Sequence, residues 1–568
     1  MIPGTNLFAA GRILKAMSQT VYDALVVGSG AAGSFAAKEL TAQGLSVLLL
    51  EAGPSVGPKD FDPARKKAAQ KDLNIWERAR ATANGQAVQA RAVFFKEWMS
   101  HLFVNDRRNP YTTPPDAPFL WIRGRQAGGR LHTFGRVLLR WSDDDFRLHT
   151  RTGQGVDWPL SYEELDPFYA EVESCLGLYG QEDHVSTMPD GIYSKRATLT
   201  PAEESFKAAV EGRWPERRVV SWRYIAPEAE RIPRALRDAQ STARFAIRYN
   251  AVVRRITTDT RTGLATGAEF TDSVTGRTET VQASNVVVCA SPIESIRLLL
   301  NSASPRHPQG LGNSSGTLGR YFMDQLPCLA MGSFPPAPGW MKDDSAPADP
   351  FYNASGGIFI PRFEPSGDGE QSGDFAYQGA VGRAPVSNNT PARMAFFGYG
   401  QMLPHADNRV TLDSRKTDTW NIPVPHIRCV MAAGERELLA KQEETLIEIV
   451  RQAGGDLEFI GSPLGLKELG RGAYPNADVI SRLMFRKMFH RSMSMGAAIH
   501  ETGGVRMGAS PETSVLNAWN QSWDVPNLLV TDASSFPTSG VAGTTLTVMA
   551  LTTRACRRLA QEYHARRG

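Results

Sequence analysis

The sequence predicts an α/β fold built on a parallel sheet, and three stretches carry that prediction. "VYDALVVGSGAAGSFAAKELTAQGLSVLLLEAG" opens with an apolar run from Tyr22 to Val27 and passes through a glycine-rich turn. It continues as a helix from about Ala31 to Gln43 and ends in a second apolar run from Ser46 to Glu51. "NVVVCASPIESIRLLLNS", Asn285 to Ser302, repeats the order of buried strand, turn and helix. "LLVTDASSFPTSG", Leu528 to Gly540, supplies a last strand ending at Asp532.

The first stretch is a βαβ unit with a G-x-G-x-x-G turn. Gly28 permits the sharp bend, Gly30 lets the backbone approach a pyrophosphate, and Gly33 lets helix and strand pack closely. The helix N-terminus then offers free N–H groups and the positive end of its dipole. Glu51 stands 23 residues after Gly28, at the end of the second strand, where a carboxylate accepts hydrogen bonds from ribose hydroxyls. No arginine follows it directly, which argues against a 2′-phosphate. The motif lies near the N-terminus and ends in "LEAGP", the usual flavoprotein form of that strand, so FAD is expected rather than NAD.

Size and composition bound the rest. At 568 residues the chain calls for several domains or an elaborate two-domain enzyme. Lys+Arg number 63 against 59 Asp+Glu, without a run of like charges, so nucleic acid is not an expected partner. The five cysteines show no C-x-x-C spacing, which excludes the usual zinc, iron–sulfur and c-type haem motifs and fits a reducing compartment. No run of about 18 apolar residues predicts insertion in a membrane. The N-terminal stretch has no apparent secretory signal, so a cytoplasmic location is expected, with a periplasmic one only on export with a partner.

Two further segments are rich in glycine. "RGRQAGGRLHTFGRVLLRWSDDDF", Arg123 to Phe146, has Gly128 and Gly129 suited to close approach to a cofactor. "HETGGVRMG", His500 to Gly508, sets one histidine beside two glycines and an arginine. Together with "GVDWPLSYEELDPFYAEVE", "LGRYFMDQ" and "LPHADNRVTLD", these motifs run in order along nearly the whole chain. The chain thereby resembles the glucose–methanol–choline (GMC) family of FAD oxidoreductases, in particular the branch of gluconate 2-dehydrogenase large subunits, glycoside 3-dehydrogenases and pyranose oxidases.

The resemblance implies the GMC fold, a Rossmann-like FAD-binding domain with a mostly antiparallel-sheet substrate domain. The FAD domain would be collected from residues 20–157, 200–327 and 493–568, after an N-terminal extension over 1–19. The substrate domain would come from 158–199 and 328–492, with residues 364–375 as a flexible loop. The cofactor-binding residues implied are Gly28, Gly30, Gly33, Glu51, Gly128, Gly129, Thr133, Val252, Asp532 and Thr545.

The same resemblance puts His500 at the reactive end of the isoalloxazine ring. Oxidising an alcohol needs a group that takes the hydroxyl proton while a hydride leaves the same carbon. A neutral imidazole with an ordinary pKa of ~6.5 suits that task. Gly503 and Gly504 would let the backbone pass near the cofactor, and Arg506 would fix the loop through carbonyl or carboxylate contacts.

Three positions depart from the family pattern. Where a second histidine or asparagine is usual, "GVAGTTLT" has Gly543 and then Thr544, so that Thr544, Thr545 or another segment would replace it. Where some pyranose oxidases carry a histidine bonded to FAD, this chain has Thr133, with His132 one step earlier, so noncovalent FAD is expected. Gln325 stands where histidine is common in this branch, and no function follows from it in sequence alone.

The expected activity is oxidation of a secondary ring hydroxyl of a sugar or glycoside, with oxygen or an electron-acceptor protein taking the electrons. Alternatives stay open: another alcohol or a gluconate-like sugar acid, a lyase with a structural flavin, or a flavin-binding subunit that works with a small subunit. An exposed apolar patch would favour the last.

Overall fold

The computed structural model describes residues 21–62, 73–335, 356–363, 374–383 and 391–568. The expectations placed on residues 1–19 and on 364–373 lie outside these.

Five short strands form a fully parallel sheet in the order Leu528–Val530, Val286–Val288, Ala24–Val27, Val47–Leu50, Phe245–Arg248. The first four are buried along their whole length, as a sheet covered on both faces requires. Helix Ala31–Ala42 packs against strand Ala24–Val27 and against the long C-terminal helix Thr545–Ala565. The fold class is therefore the one expected, a Rossmann-like α/β unit gathered from distant parts of the chain.

Local chemistry explains the first turn. Gly28 has φ +97°, and a Cβ there would come 2.5 Å from Cys289 O. A Cβ on Gly33 would fall 1.8 Å from Gly28 O, so the helix could not approach the strand with any larger residue. Tyr22 belongs to a separate two-residue strand, Val21–Tyr22, which pairs with Thr278–Ala283 in a second, four-stranded sheet. The apolar run is thus split at Asp23, whose carboxylate accepts hydrogen bonds from Ser46 N and Oγ, both at 2.8 Å.

The largest sheet has seven antiparallel strands. Its order is Gly465–Glu468, Asp456–Ser462, Leu326–Phe334, Ala392–Gly400, Phe375–Val381, Ile358–Ile360, Val220–Ser221. Strand Ala392–Gly400 alternates buried and half-buried residues over most of its length, the period-two signature of a sheet with one face inward. The "NRVTLD" run lies in strand Arg409–Thr417, which pairs with Pro423–Arg428 in a separate two-stranded ribbon. Strand Leu326–Phe334 begins one residue after Gln325, and this junction carries the large sheet to the active region.

Candidate active site

One cavity of about 410 Å³ runs from the glycine-rich turn to His500. Its nucleotide end is walled by Gly28, Gly30 and Glu51, with Val252 and Asp532 also on its surface. Its other end is walled by His500, Gly543, Thr544 and Thr545, with Gly129 and Thr133 between. Residues more than five hundred positions apart thus meet in one space. Of the expected cofactor residues, only Gly33 and Gly128 do not line it. Gly33 serves the helix–strand contact described above, and a Cβ on Gly128 would sit 2.6 Å from His132 Nε2.

At the nucleotide end, Ser29 donates to Glu51 Oε2 through its backbone N (3.0 Å) and its hydroxyl (2.5 Å), while Gly53 N donates to Oε1 (2.8 Å). Burial pushes the Glu51 carboxyl upward, and these bonds pull it back. Gly128 N in turn donates to the Ser29 hydroxyl at 3.0 Å, so the second glycine-rich loop is tied to the first. Ser29 was hidden as an unspecified position of the motif. Asp532 is fully occupied: Oδ2 accepts from Ser291 N and the Ser295 hydroxyl, and Oδ1 from Ser534 N and its hydroxyl.

Two observations bear on whether this space suits a dinucleotide. A Cβ on Gly129 would approach Gly30 Cα to 3.7 Å, so a pair of glycines faces across a gap that larger side chains would narrow. Arg125, also on the cavity wall, has a buried Nη1 with no hydrogen-bond partner. A gap bounded by backbone and an unused cationic donor fits a pyrophosphate-bearing ligand.

At the reactive end His500 is held from several sides. Asp324 Oδ1 accepts from its backbone N at 3.0 Å, and Nδ1 lies 2.6 Å from Gln325 Oε1. The Tyr399 ring packs 4.7 Å from the imidazole at 37°. Ile499, the preceding residue, has φ +61°, a conformation that a β-branched side chain disfavours. Its carbonyl accepts from Arg130 Nη1 at 3.2 Å, and the same nitrogen pairs with Glu501 at 2.7 Å. Burial, and then the charge of Arg130, lowers the His500 imidazolium to about 3, so the ring is neutral over the ordinary pH range.

Gly543 faces the opposite edge of the ring. A Cβ there would stand 3.9 Å from Nε2 and 4.0 Å from Cε1. Thr544 and Thr545 follow at the start of helix Thr545–Ala565, whose N-terminus therefore opens on the cavity.

The expectation for Gly503 and Gly504 is corrected by their packing. A Cβ on Gly503 would meet Tyr321 O at 2.2 Å and one on Gly504 would meet Ile296 Cδ1 at 2.3 Å, and neither glycine lines the cavity. They serve a close backbone crossing behind the site. Arg506 fixes that loop as expected, donating to Thr513 O at 3.2 and 2.9 Å and lying 3.6 Å over the Tyr321 ring. Thr133 lines the cavity, whereas His132 does not, its Nε2 being bonded to Ala127 O at 2.8 Å.

Among the described residues there is no group of histidine, cysteine and carboxylate side chains that could hold a metal ion, and no helix long and apolar enough to cross a membrane.

This arrangement joins a parallel-sheet unit and its glycine-rich turn, through one cavity, to a half-buried histidine beside a large antiparallel sheet. Comparison with known proteins names the class. Residues 404–552 match the family model described as GMC oxidoreductase, and residues 26–65 match an NAD(P)-binding Rossmann-like domain. The chain is 26% identical to a 2-methyl-1,2-propanediol dehydrogenase from Mycolicibacterium austroafricanum, over 94% of each chain. It is 25% identical to the fructose dehydrogenase large subunit of Gluconobacter japonicus, over 94% of this chain and 96% of that one. A C-glycoside 3-oxidase from Microbacterium trichothecenolyticum is 24% identical, over 97% and 99%. The crystal structure of a pyridoxine 4-oxidase from Mesorbium loti superposes with TM-score 0.58 at 18% identity, covering 96% of this chain and 99% of that one, a likeness of fold. The chain is thus an oxidoreductase acting on CH–OH groups, carrying a GMC oxidoreductase region over residues 404–552 and similar along nearly its whole length to dehydrogenases and oxidases of sugars and alcohols.

Proposed function

We propose that this protein binds FAD noncovalently in the cavity and oxidises a secondary ring hydroxyl of a sugar or glycoside to a keto-sugar. The observation that carries the reading is the continuity of one cavity from Glu51 and Gly30 to the neutral imidazole of His500. Glu51 would accept from the adenosine ribose, the Gly30–Gly129 gap and Arg125 would take the pyrophosphate, and Val252 would lie at the adenine end. The N-terminus of helix Thr545–Ala565 would face the isoalloxazine with its positive dipole end. When bound, FAD supplies the acceptor for the hydride released by the carbinol carbon. His500 Nε2 takes the hydroxyl proton, and Thr544 and Thr545 lie where they could hold the substrate oxygen. With threonine at 133 and His132 Nε2 bonded to Ala127 O, neither residue of that stretch would attach the flavin covalently.

The names of the fructose dehydrogenase and C-glycoside 3-oxidase relatives support a sugar substrate. The test is an anaerobic absorbance spectrum of the purified flavoprotein with glucose, a simple glucoside, gluconate and a primary alcohol. Bleaching by the sugar or glycoside supports the reading. Bleaching only by gluconate or the primary alcohol moves the substrate to those classes, and a bound flavin bleached by none removes the assignment for this panel.

A second reading concerns assembly. Helix Val479–Ser492 leaves Val479 (80%), Ile480 (65%) and Leu483 (61%) exposed, and Trp76 (68%) lies on helix Ile75–Ala83 beside it. Such a patch is costly to leave in water and favours a docked partner subunit. Ser492, the last residue of that helix, lines the cavity, so a partner bound there would lie near the cofactor. Light scattering on the protein purified from its own host should give a mass above the 62.2 kDa of one chain. The double variant Ile480→Glu, Leu483→Glu should return it to the monomer with flavin retained. An equal mass for both removes this reading.

A further inference from the structure

The side-chain amide of Gln325 is fully buried and has three partners. Its Nε2 donates to Ser539 O at 2.9 Å and to Ala542 O at 2.8 Å. Both are carbonyl oxygens, which only accept, so the –NH2 must be at that end of the amide. A flipped amide would set an oxygen against two carbonyl oxygens at a fully buried position and leave those carbonyls without its N–H donors. The oxygen Oε1 therefore faces His500, and at 2.6 Å it accepts from Nδ1. In a neutral imidazole only one nitrogen carries hydrogen. With Nδ1 as donor, the lone pair is on Nε2, the edge that Gly543 leaves open.

We infer that Gln325 is a positioning residue that locks His500 in its Nδ1–H tautomer and ties it to the loop ending at Gly543, presenting an unprotonated Nε2 to the cavity. The inference rests on the reading of His500 as the base. In the proposed reaction the substrate O–H bond would break and its proton would join Nε2, while the carbinol C–H pair would leave as hydride, for which FAD would supply the acceptor, and C=O would form. The resulting imidazolium keeps its Nδ1–H bond to Oε1, now charge-assisted. The same amide secures Ala542 O, the carbonyl immediately before Gly543, so the base and the wall facing it move as one unit.

The residue type matters. Glutamate could accept from Nδ1 but could not donate to Ser539 and Ala542. Histidine could accept from Nδ1 through one ring nitrogen but has only one N–H left for two carbonyls. Glutamine alone among these satisfies all three partners. Asp324, the residue before it, holds the His500 backbone, so two consecutive residues at the head of strand Leu326–Phe334 fix main chain and ring together.

The test is 15N NMR of flavin-loaded protein labelled at histidine nitrogen, with the His500 signals assigned by a His500→Asn variant. The wild type should show one N–H-type and one lone-pair-type nitrogen without averaging, the N–H assigned to Nδ1 by its two-bond ring couplings. Gln325→Leu should mix the tautomers and lower kcat about 100-fold with little change in KM, the size of loss that misplaced reacting groups cause. Gln325→Glu should keep the Nδ1–H tautomer but move the acid limb of kcat/KM to higher pH, since a carboxylate beside Nδ1 favours the imidazolium. If the leucine variant does not bind flavin, the wild-type tautomer and the glutamate variant still decide. An Nε2–H tautomer in the wild type overturns the inference even in an enzyme that sugars reduce. A His500→Ala variant as active as the wild type overturns the functional reading instead, whatever the tautomer.

Discussion

Gly543 lies against the Nε2 edge of His500, close enough that a single added methyl group would stand 3.9 Å from that nitrogen. A glycine at this point leaves open the edge of the ring that, in the proposed reaction, would face the carbinol carbon. Its φ is not positive, so alanine is tolerated by the backbone. Gly543→Ala should therefore fold and bind flavin normally while raising KM for substrates branched next to the reacting hydroxyl by ~10-fold, as one methylene does in a shaped pocket. Unbranched alcohols should be affected less. Steady-state kinetics on paired branched and unbranched substrates checks this, and an equal change for both would show that the gap is not used by substrate.

Removing the imidazole proposed as the base should separate binding from chemistry. His500→Ala should keep its flavin and lose ~10²–10⁴-fold in the rate of anaerobic flavin reduction, the range for a general base. Because burial and Arg130 hold the wild-type imidazolium at about 3, kcat/KM should show no acid limb from this histidine between pH 5 and 8. A limb near 6.5 that vanishes in the alanine variant would contradict that.

The carboxylate cradle makes a separate prediction. Glu51→Gln removes one acceptor from a group that already takes three hydrogen bonds and would leave the Ser29 or Gly53 donors facing an amide N–H. Flavin affinity should fall by ~10-fold or more, since losing a charged acceptor costs about 1.5–3 kcal/mol. Equilibrium dialysis against free FAD measures it, with far-UV circular dichroism showing that the fold persists. An unchanged affinity would remove Glu51 from the binding set.

Asp324 makes a prediction about pH and stability. Burial, with the Glu501 charge adding to it, pushes its carboxyl from 3.8 to about 7, while backbone N–H donors from His500, Gln325 and Gly496 pull the other way. Between these two values the folded state holds more protons than the unfolded state, so this group's contribution to stability falls as pH rises through that window. Asp324→Asn has no such proton. Its Tm relative to the wild type should thus improve from about pH 4 to about 7 and level off above that, even though it loses one of the backbone hydrogen bonds at every pH. Parallel slopes for the two proteins would sink the idea.

Much of this architecture was legible before any fold was known, and the reasons are local. Gly28, Gly33 and Glu51 act within one βαβ unit, where spacing alone sets their relation, and the buried strands declare themselves as short apolar runs. The split at Asp23 was not legible, because it follows from a side-chain bond to Ser46 on a neighbouring element. Ser29 was hidden for a similar reason: its hydroxyl serves Glu51 and Gly128, neither adjacent to it. For Gly503 and Gly504 the composition was right and the neighbour was wrong, since a glycine reports that something comes close but not what.

The sequence by itself determined the class of fold, the nucleotide cradle and the candidacy of His500, because each rests on short-range patterns that constrain the backbone directly. Only the tertiary structure decided what surrounds that histidine. Gln325, Gly543, Tyr399 and Arg130 reach it from segments separated by more than a hundred residues in sequence or by an intervening strand and turn. Their places around the ring depend on how the seven-stranded sheet is set against the Rossmann-like unit. An amide shows which atom it turns toward a ring only when its other partners are in place, and here those partners are two carbonyls of the Ser539–Ala542 turn.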